Sequence, residues 1–178
     1  SSDVCSSDLG LVGKRFALST LHRAENVDFR DRLSFILEGL GGVADHLPVI
    51  LPLHPRTRSK LEEFSFLDSI AKGIRIVEPV GFLDMLLLES EAALILTDSG
   101  GIQKEAFFHR TPCVTLRSET EWIELLPRGH NRLARPEIDS IQDKAEEALS
   151  ADPDWELPLY GDGHSAETIA QNLISHYS

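Results

Sequence analysis

Cysteine, positive charge and long apolar runs are all scarce in this sequence. Only 2 of its 178 residues are cysteine, which excludes the disulfide framework that stabilises many small secreted domains. No apolar run approaches the roughly 18 residues of a membrane-spanning helix. Lys and Arg total 17 against 29 Asp and Glu, a formal net charge of −12. This acidic balance argues against nucleic-acid and membrane partners, because the surfaces that bind such polyanions are strongly basic.

The first nine residues carry no pattern of a folded element. The triplet Ser-Ser-Asp occurs at residues 1–3 and again at residues 6–8. The segment has neither the basic nor the apolar part of a secretory signal peptide. We therefore predict a non-native or disordered leader at residues 1–9 and one folded domain at residues 10–178. Cys113 is then the domain's only cysteine, which predicts a reducing compartment, the cytoplasm.

Short apolar segments alternate with helical patterns along the rest of the chain. Six segments are typical of strands buried on both faces, namely Arg15–Thr20, Val49–Leu53, Ile74–Val77, Ala93–Thr97, Cys113–Leu116 and Asn131–Ala134. Apolar residues at helical spacing predict helices from Asp31 to Leu47 and at Phe82–Glu89, Gly101–His109, Ser140–Leu149 and Ser165–Tyr177. This alternation predicts an α/β fold with a parallel sheet.

Polar segments directly follow five of the predicted strands. They are His22–Asn26, His54–Arg56, Glu78–Phe82, Asp98–Gly101 and Arg117–Glu121. Ligands of open α/β sheets bind in the crevice at the carboxyl ends of the strands, so we expect the five segments to converge on one site. The alternative interpretation is that such loops are polar in any protein.

The segment Ser99-Gly100-Gly101 is typical of a phosphate site. Glycines at a helix start let a ligand approach the backbone, whose unpaired N–H groups attract anions. Glu105, one turn further on, is placed to accept hydrogen bonds from ribose hydroxyls. The alternative is a serine N-cap followed by a glycine turn.

Cationic and donor side chains are expected at the same sheet edge. They are His22, Arg23, His54, Arg56 and Arg117. Together they fit an anionic ligand, although each one alone is more typical of a solvated or structural residue. His22 also suits acid–base chemistry, because imidazole titrates near neutral pH.

Glu121 has two interpretations. Residues 118–121 match a Ser-x-x-Glu capping box, in which Glu121 would bond the Ser118 N–H; contact with a ligand is the other possibility. The sequence contains no metal-ligand motif and no Walker A lysine loop, so we expect no metal and no cofactor.

Five stretches, in order and spacing, resemble the C-terminal half of the non-hydrolysing UDP-N-acetylglucosamine 2-epimerases. They are Thr20–Asn26, His54–Thr57, Leu96–Ala106, Pro112–Arg117 and Tyr160–Gly163. The resemblance runs from about Lys14 to the C-terminus. It implies an α/β fold, namely a Rossmann-like three-layer domain with a parallel sheet. This domain is the C-terminal half of a GT-B arrangement, and the N-terminal catalytic domain is absent from the chain.

The resemblance also implies roles for individual residues. Ser99 and Gly100 hold the diphosphate in the family, Glu105 holds the ribose, and His22 matches a histidine implicated in catalysis. The predicted substrate-binding residues are Arg23, Glu25, His54, Met85, Ser99, Gly100, Gly101, Glu105, Arg117 and Glu121.

Two positions depart from the family pattern. The usual Thr-Glu-Arg-Pro-Glu segment has Trp122-Ile123 in place of Arg-Pro, which resembles relatives acting on UDP-diacetamido-glucuronic acid. A phenylalanine that packs near the uracil in many relatives is Met85 here, and methionine can still pack against a ring.

The predicted function is that of a UDP-N-acetylglucosamine 2-epimerase, which interconverts its substrate with UDP-N-acetylmannosamine by eliminating UDP and adding it back. Because the family's proton-handling acidic residues lie mostly in the N-terminal domain, we expect this partial chain to bind a UDP-sugar weakly and to turn over little or none. The alternatives are an epimerase of another UDP-sugar, the nucleotide-sugar half of a GT-B glycosyltransferase, and a non-catalytic binding module.

Two further expectations concern association. The family implies a homodimer for the full-length protein. The last predicted helix carries an apolar stripe within Ala166–Tyr177. In a GT-B protein the final helix crosses to the N-terminal domain, so we expect this stripe to be exposed here.

Overall fold

The computed structural model describes residues 13–177, and the leader predicted at residues 1–9 lies outside them. Strands β1–β6 span Ala17–Thr20, Val49–Pro52, Ile74–Val77, Leu94–Thr97, Cys113–Thr115 and Asn131–Leu133. Helices α1–α7 span Ala24–Val27, Arg30–Ala44, Pro55–Glu63, Phe82–Glu91, Gly100–Phe108, Ile141–Leu149 and Ser165–Tyr177. The six predicted strands are therefore confirmed.

The strands form one parallel sheet in the order β3-β2-β1-β4-β5-β6. This is the Rossmann order, and the predicted α/β Rossmann-like class is confirmed. The direction of winding reverses between β1 and β4, which is the switch point where such sheets bind ligands. Thr20 is paired with Thr97 at the ends of these two strands, and their hydroxyl oxygens are 2.6 Å apart. The segments after both strands therefore start side by side.

Two apolar cores, one on each face of the sheet, explain why the strands are rich in apolar residues. On one face Ala17 packs in a cluster that includes Leu40 of α2 and Ile141 of α6. On the other face Leu18 packs with Leu88 of α4 and Ala106 of α5. Alternate residues of β1 thus enter opposite cores, and the domain has three layers.

Helix α3 was not predicted, because its sequence is almost entirely polar. Only Thr57 and Leu61 of its nine residues are buried. The signal that could have revealed it is Pro55 at the first helical turn, where proline is favoured. His54 caps this helix, since its Nδ1 accepts the backbone N–H of Arg56 at 3.2 Å.

Helix α7 has its apolar stripe exposed, as predicted. Ile169, Leu173 and Ile174 are 59, 54 and 68% exposed. None of the helices in the described part of the chain is both long enough and apolar enough to cross a membrane.

Candidate functional site

Asp98, the first residue after β4, is fully buried and joins the ends of β1 and β4. Its carboxylate accepts the backbone N–H groups of His22 and Arg23 at 3.2 and 3.0 Å and the Asn26 amide at 3.1 Å. Nδ1 of His22 lies 3.1 Å from Asp98 Oδ1. The carboxylate is therefore surrounded by donors, as a buried charge requires, and it fixes the loop that follows β1.

The contact between Asp98 and His22 shifts both pKa values. Burial alone would raise the pKa of Asp98, but the hydrogen bonds from His22 and Arg23 hold it below its ordinary value. The hydrogen bond to Asp98 raises the pKa of His22, despite the opposing effect of partial burial. Because Nδ1 faces the carboxylate, that nitrogen carries the proton, and Nε2 is the atom left to meet a ligand.

A small cavity opens beside His22 at the carboxyl edge of β1–β3. Its volume is about 220 Å³, and it is lined by Thr20, Leu21, His22, Pro52, His54, Pro79, Val80, Met85 and Ile102. The His22 and His54 rings are 5.8 Å apart between centroids. Most of the wall is apolar, which suits the faces of a planar base. Met85, predicted to pack near a uracil, forms part of this wall.

The N-terminus of α5 lies next to the buried Asp98. Ser99 caps the helix, because its Oγ accepts the Ile102 N–H at 3.4 Å, so the capping interpretation is correct for its side chain. A Cβ atom at Gly100 would come no closer than 3.5 Å to the nearest described atom, Oε2 of Glu121, and a Cβ at Gly101 no closer than 3.8 Å to Ser99 Oγ. Packing therefore does not require glycine at either position, and glycine at a helix start lets a ligand approach the backbone closely.

Arg117 and Glu121 form a bidentate pair at the end of β5. Arg117 is only 5% exposed, and its two terminal nitrogens donate to Glu121 at 2.8 and 3.0 Å. Hydrogen bonding from Arg117 lowers the pKa of Glu121 to about 2. Arg23 also approaches Glu121, at 3.6 Å, and Glu25 lies 3.6 Å from Arg117 Nε. Arg117 thus positions Glu121 instead of presenting a free cation.

The predicted capping box at Ser118 is wrong. No helix begins there in the described chain; a single 3₁₀ turn starts later, at Ile123. The Glu121 carboxylate is held by Arg117, because a guanidinium offers two parallel charge-assisted donors where a backbone amide offers one.

The five polar segments lie along one edge of the sheet, as expected, but Arg56 of the second segment is paired with Asp28 and does not line the cavity. Predicted residues that meet around Asp98 and the start of α5 are His22, Arg23, Glu25, Ser99, Gly100, Gly101, Arg117 and Glu121. His54 and Met85 join His22 around the cavity. Glu105 lies farther along α5, half-buried, near enough to Glu89 of α4 for its charge to raise the pKa of that carboxyl.

Sequence reasoning missed two residues of this site. From the sequence, Asp98 is named only as part of a motif. An acidic residue directly after a fully buried strand is a usable signal of a site, because a buried carboxylate needs hydrogen-bond donors around it. Trp122 was noted only as a departure from a pattern. Its contact with α5 connects residues distant in sequence, and nothing in the sequence indicated it.

The strand order and the crevice at the switch point define a Rossmann-like α/β domain. Comparison with known proteins identifies the family. The model of the UDP-N-acetylglucosamine 2-epimerase family matches residues 3–174, and the chain belongs to this family.

Two relatives and one crystal structure illustrate the match. The chain is 43% identical to a UDP-2,3-diacetamido-2,3-dideoxy-D-glucuronate 2-epimerase of Pseudomonas aeruginosa, over 94% of this chain and 47% of the relative. It is 42% identical to a UDP-N-acetylglucosamine 2-epimerase of Methanocaldococcus jannaschii, over 92% of this chain and 45% of the relative. A crystal structure of the M. jannaschii enzyme in complex with UDP-GlcNAc and UDP aligns with a TM-score of 0.81 at 41% identity, covering 90% of this chain and 45% of that one. The chain therefore spans about half the length of these relatives.

Proposed function

We propose that this chain is the nucleotide-sugar-binding half of a UDP-N-acetylglucosamine 2-epimerase. The observation that carries the proposal is the joining of His22 to Asp98 beside the open N-terminus of α5, at the switch point of the sheet. This arrangement places a titratable donor next to an anion site. The crystal structure of the M. jannaschii relative with UDP-GlcNAc and UDP supports a UDP-sugar as the ligand.

In this proposal the nucleotide lies along the carboxyl edge of the sheet. The uracil occupies the cavity walled by Met85 and His54, and the ribose hydroxyls bond to Glu105. The diphosphate sits on the amides of Gly100 and Gly101, where the helix dipole favours negative charge. The sugar then faces the cluster of Arg23, Glu25 and Glu121.

The proposed reaction inverts the sugar carbon that bears the N-acetyl group. A base removes the proton from that carbon while the bond to UDP breaks, and UDP then adds back to the unsaturated sugar. Negative charge develops on the departing diphosphate, so donors aimed at it lower the barrier. His22 is the proposed catalytic residue of this chain: its raised pKa favours the protonated ring, whose Nε2–H can donate to the departing group.

A second candidate substrate is UDP-2,3-diacetamido-2,3-dideoxy-D-glucuronate. Two observations favour it: the P. aeruginosa relative that acts on this sugar is 43% identical, and Trp122 departs from the usual family segment in the way such relatives do. The family match supports an epimerase over the glycosyltransferase and binding-module alternatives.

The remaining proposals concern the setting of the protein. We propose residues 10–178 as the nucleotide-sugar domain, a homodimer for the full-length protein, and a cytoplasmic location. The buried free thiol of Cys113 supports a reducing compartment. The net charge of −12 supports the absence of nucleic-acid and membrane partners.

The test is a calorimetric titration of the chain with UDP, repeated with Glu105→Ala and Gly101→Ala. Saturable binding is expected for the parent chain. Both variants are expected to bind at least tenfold more weakly, because one loses the ribose acceptor and the other covers the phosphate amides. The melting temperature of Gly101→Ala should be unchanged or higher, since alanine favours a helix.

Binding that is unaffected by both substitutions would place the nucleotide elsewhere and contradict the proposal. Glu91→Ala is the matched control, because Glu91 is an exposed carboxylate at the opposite end of α4 from Met85. Its affinity for UDP should equal that of the parent chain.

A further inference from the structure

The segment Ser118–Leu126, here called the strap, is fastened onto the first turns of α5. The indole Nε1–H of Trp122 donates to the carbonyl oxygen of Gly100 at 2.6 Å. Two residues before Trp122, the hydroxyl of Thr120 donates to Oε1 of Gln103 at 2.5 Å. Two side chains of the strap are thus bonded to the helix whose N-terminus is the proposed diphosphate site.

Lys104 of α5 adds a third attachment. Its Nζ lies 4.6 Å from the centroid of the Trp122 ring and 4.5 Å from that of Tyr160. The two rings meet edge to face, 6.0 Å apart at 88°. An ammonium placed over two aromatic rings is attracted by both, so Lys104 holds the indole in the orientation that its hydrogen bond to Gly100 requires.

The position of Trp122 gives this attachment a consequence for the site. Trp122 directly follows Glu121, and Glu121 is paired with Arg117 and approaches Arg23. The Glu121 carboxylate also lies closest to the open space above Gly100. A strap fastened to Gly100 therefore fixes these charged groups relative to the proposed diphosphate site.

We propose that Trp122 is a positioning residue, which holds the strap on α5 and thereby sets where Glu121 meets the sugar-diphosphate end of the ligand. This inference rests on the proposed function for the identity of the ligand. No residue of the strap lines the cavity proposed for the base, which takes only Ile102 from the first turn of α5. The effect of Trp122 should therefore be confined to the diphosphate and the sugar.

Two substitutions test the attachment. Trp122→Phe keeps an aromatic ring beside Lys104 but removes the N–H that bonds Gly100, and Lys104→Met keeps the aliphatic stem but removes the cation. Trp155→Phe is the matched control. Trp155 packs against Phe107 of α5 and against His130. This variant therefore also removes an indole from the aromatic cluster around α5, but at a residue outside the strap.

The first measurement is amide hydrogen exchange, which needs no ligand. Exchange within residues 118–126 is expected to accelerate at least tenfold in Trp122→Phe and Lys104→Met and to stay unchanged in Trp155→Phe. Unchanged exchange in Trp122→Phe would overturn the inference, because the strap would then be held without the indole N–H.

The second measurement compares the Kd for UDP-N-acetylglucosamine with the Kd for UMP, which keeps the uracil, the ribose and one phosphate but lacks the second phosphate and the N-acetylglucosamine. Trp122→Phe is expected to weaken UDP-N-acetylglucosamine binding about tenfold and to leave UMP binding within about twofold of the parent. Equal weakening of both ligands would mean a general structural effect and would overturn the positioning role. If the parent chain bound no nucleotide, the proposed function would fail, and the predicted effect of Trp122 on ligand binding would fail with it. Hydrogen exchange would still decide whether Trp122 holds the strap.

Discussion

Asp98 carries its charge in a fully buried position, where an ionised carboxylate is stable only when donors surround it. His22 depends on the same contact, because Asp98 fixes both its backbone and its ring. A single residue after β4 thus determines the conformation of the loop after β1 and the protonation of the proposed catalytic group.

Asp98→Asn tests this dependence. The substitution replaces one carboxylate oxygen by an amide NH₂ group, which then faces groups that are themselves donors. We therefore expect the free energy of unfolding to fall by about 1–3 kcal/mol. The pKa of His22 should fall toward its ordinary value of 6.5, because the hydrogen bond that raises it is weakened. Urea denaturation measures the first effect and an NMR titration of the His22 ring the second.

Asp152→Asn is the matched control for that experiment, because Asp152 is exposed. It should change neither the stability nor the titration of His22. An unchanged His22 pKa in Asp98→Asn would show that Asp98 is not the cause of the shift.

Glu89 is a second buried carboxyl, and it lacks the donors that Asp98 has. The residue is 0% exposed, and neither carboxyl oxygen has a hydrogen-bond partner among the described residues. Nε2 of the His109 ring lies 3.8 Å from one of the Glu89 carboxyl oxygens. Burial, reinforced by the charge of Glu105, raises the pKa of Glu89 to about 8.

We therefore predict that Glu89 makes the stability pH-dependent. Its pKa is higher in the folded than in the unfolded chain, so the folded state holds the proton more tightly. The free energy of unfolding then falls between about pH 4.5 and pH 8, by at most about 1.4 kcal/mol per pH unit. Glu89→Gln has no proton to lose, and its stability should exceed that of the parent at about pH 9.

Urea denaturation of both proteins at about pH 5, 7 and 9 measures this difference. Glu91→Gln, at an exposed position of the same helix, should keep the pH profile of the parent. Parallel profiles for Glu89→Gln and the parent would mean that Glu89 is ionised at little cost in the folded chain.

At the scale of elements, the sequence predicts the strands and helices that burial of apolar residues determines. It does not predict the segments whose conformation depends on polar contacts between residues distant in the chain. Most strand residues are apolar because both faces of the sheet are covered, and each predicted strand lies within two residues of the observed one. Helix α3 has too few buried residues to leave a periodic pattern. The strap matched a capping box in sequence, yet its conformation depends on Arg117 and Gly100, contacts that only the assembled sheet creates.

Helix α7 allows a prediction about association. Its exposed apolar side chains include Ile169 and Leu173, and apolar surface left in water favours self-association. Replacing both with glutamate should reduce the association seen by sedimentation velocity as concentration rises. The melting temperature should change little, because both side chains are already exposed and glutamate is a good helix former.

The control for this variant places the same two charges on the polar face of α7, with Thr168→Glu and Gln171→Glu. Added negative charge by itself improves solubility, so only the difference between the two variants reports on the apolar stripe. Equal association of the two would mean that the stripe is not the contact surface.

At the scale of the whole molecule, the chain provides one wall of a site. The cavity at the sheet edge, the phosphate amides and the charged cluster all open toward the carboxyl side of the strands. The relatives are about twice as long, since the chain spans 47% and 45% of two of them. Proton abstraction and stabilisation of the leaving group act on different parts of the sugar, and efficient catalysis also excludes water from around the developing charge.

We therefore predict binding without turnover for the 178-residue chain. Incubated with UDP-N-acetylglucosamine in deuterated water, it should neither form the epimer nor incorporate deuterium at the carbon bearing the N-acetyl group, as followed by NMR. Fusion of residues 10–178 behind the N-terminal half of the M. jannaschii relative should restore both signals. The same fusion carrying His22→Asn should bind UDP but remain at least a hundredfold slower, the usual range for loss of an acid–base group. Turnover by the isolated chain would sink this prediction, because it would mean that Glu25, Glu121 and His22 suffice for the proton transfer that we assign to the N-terminal half of the relatives.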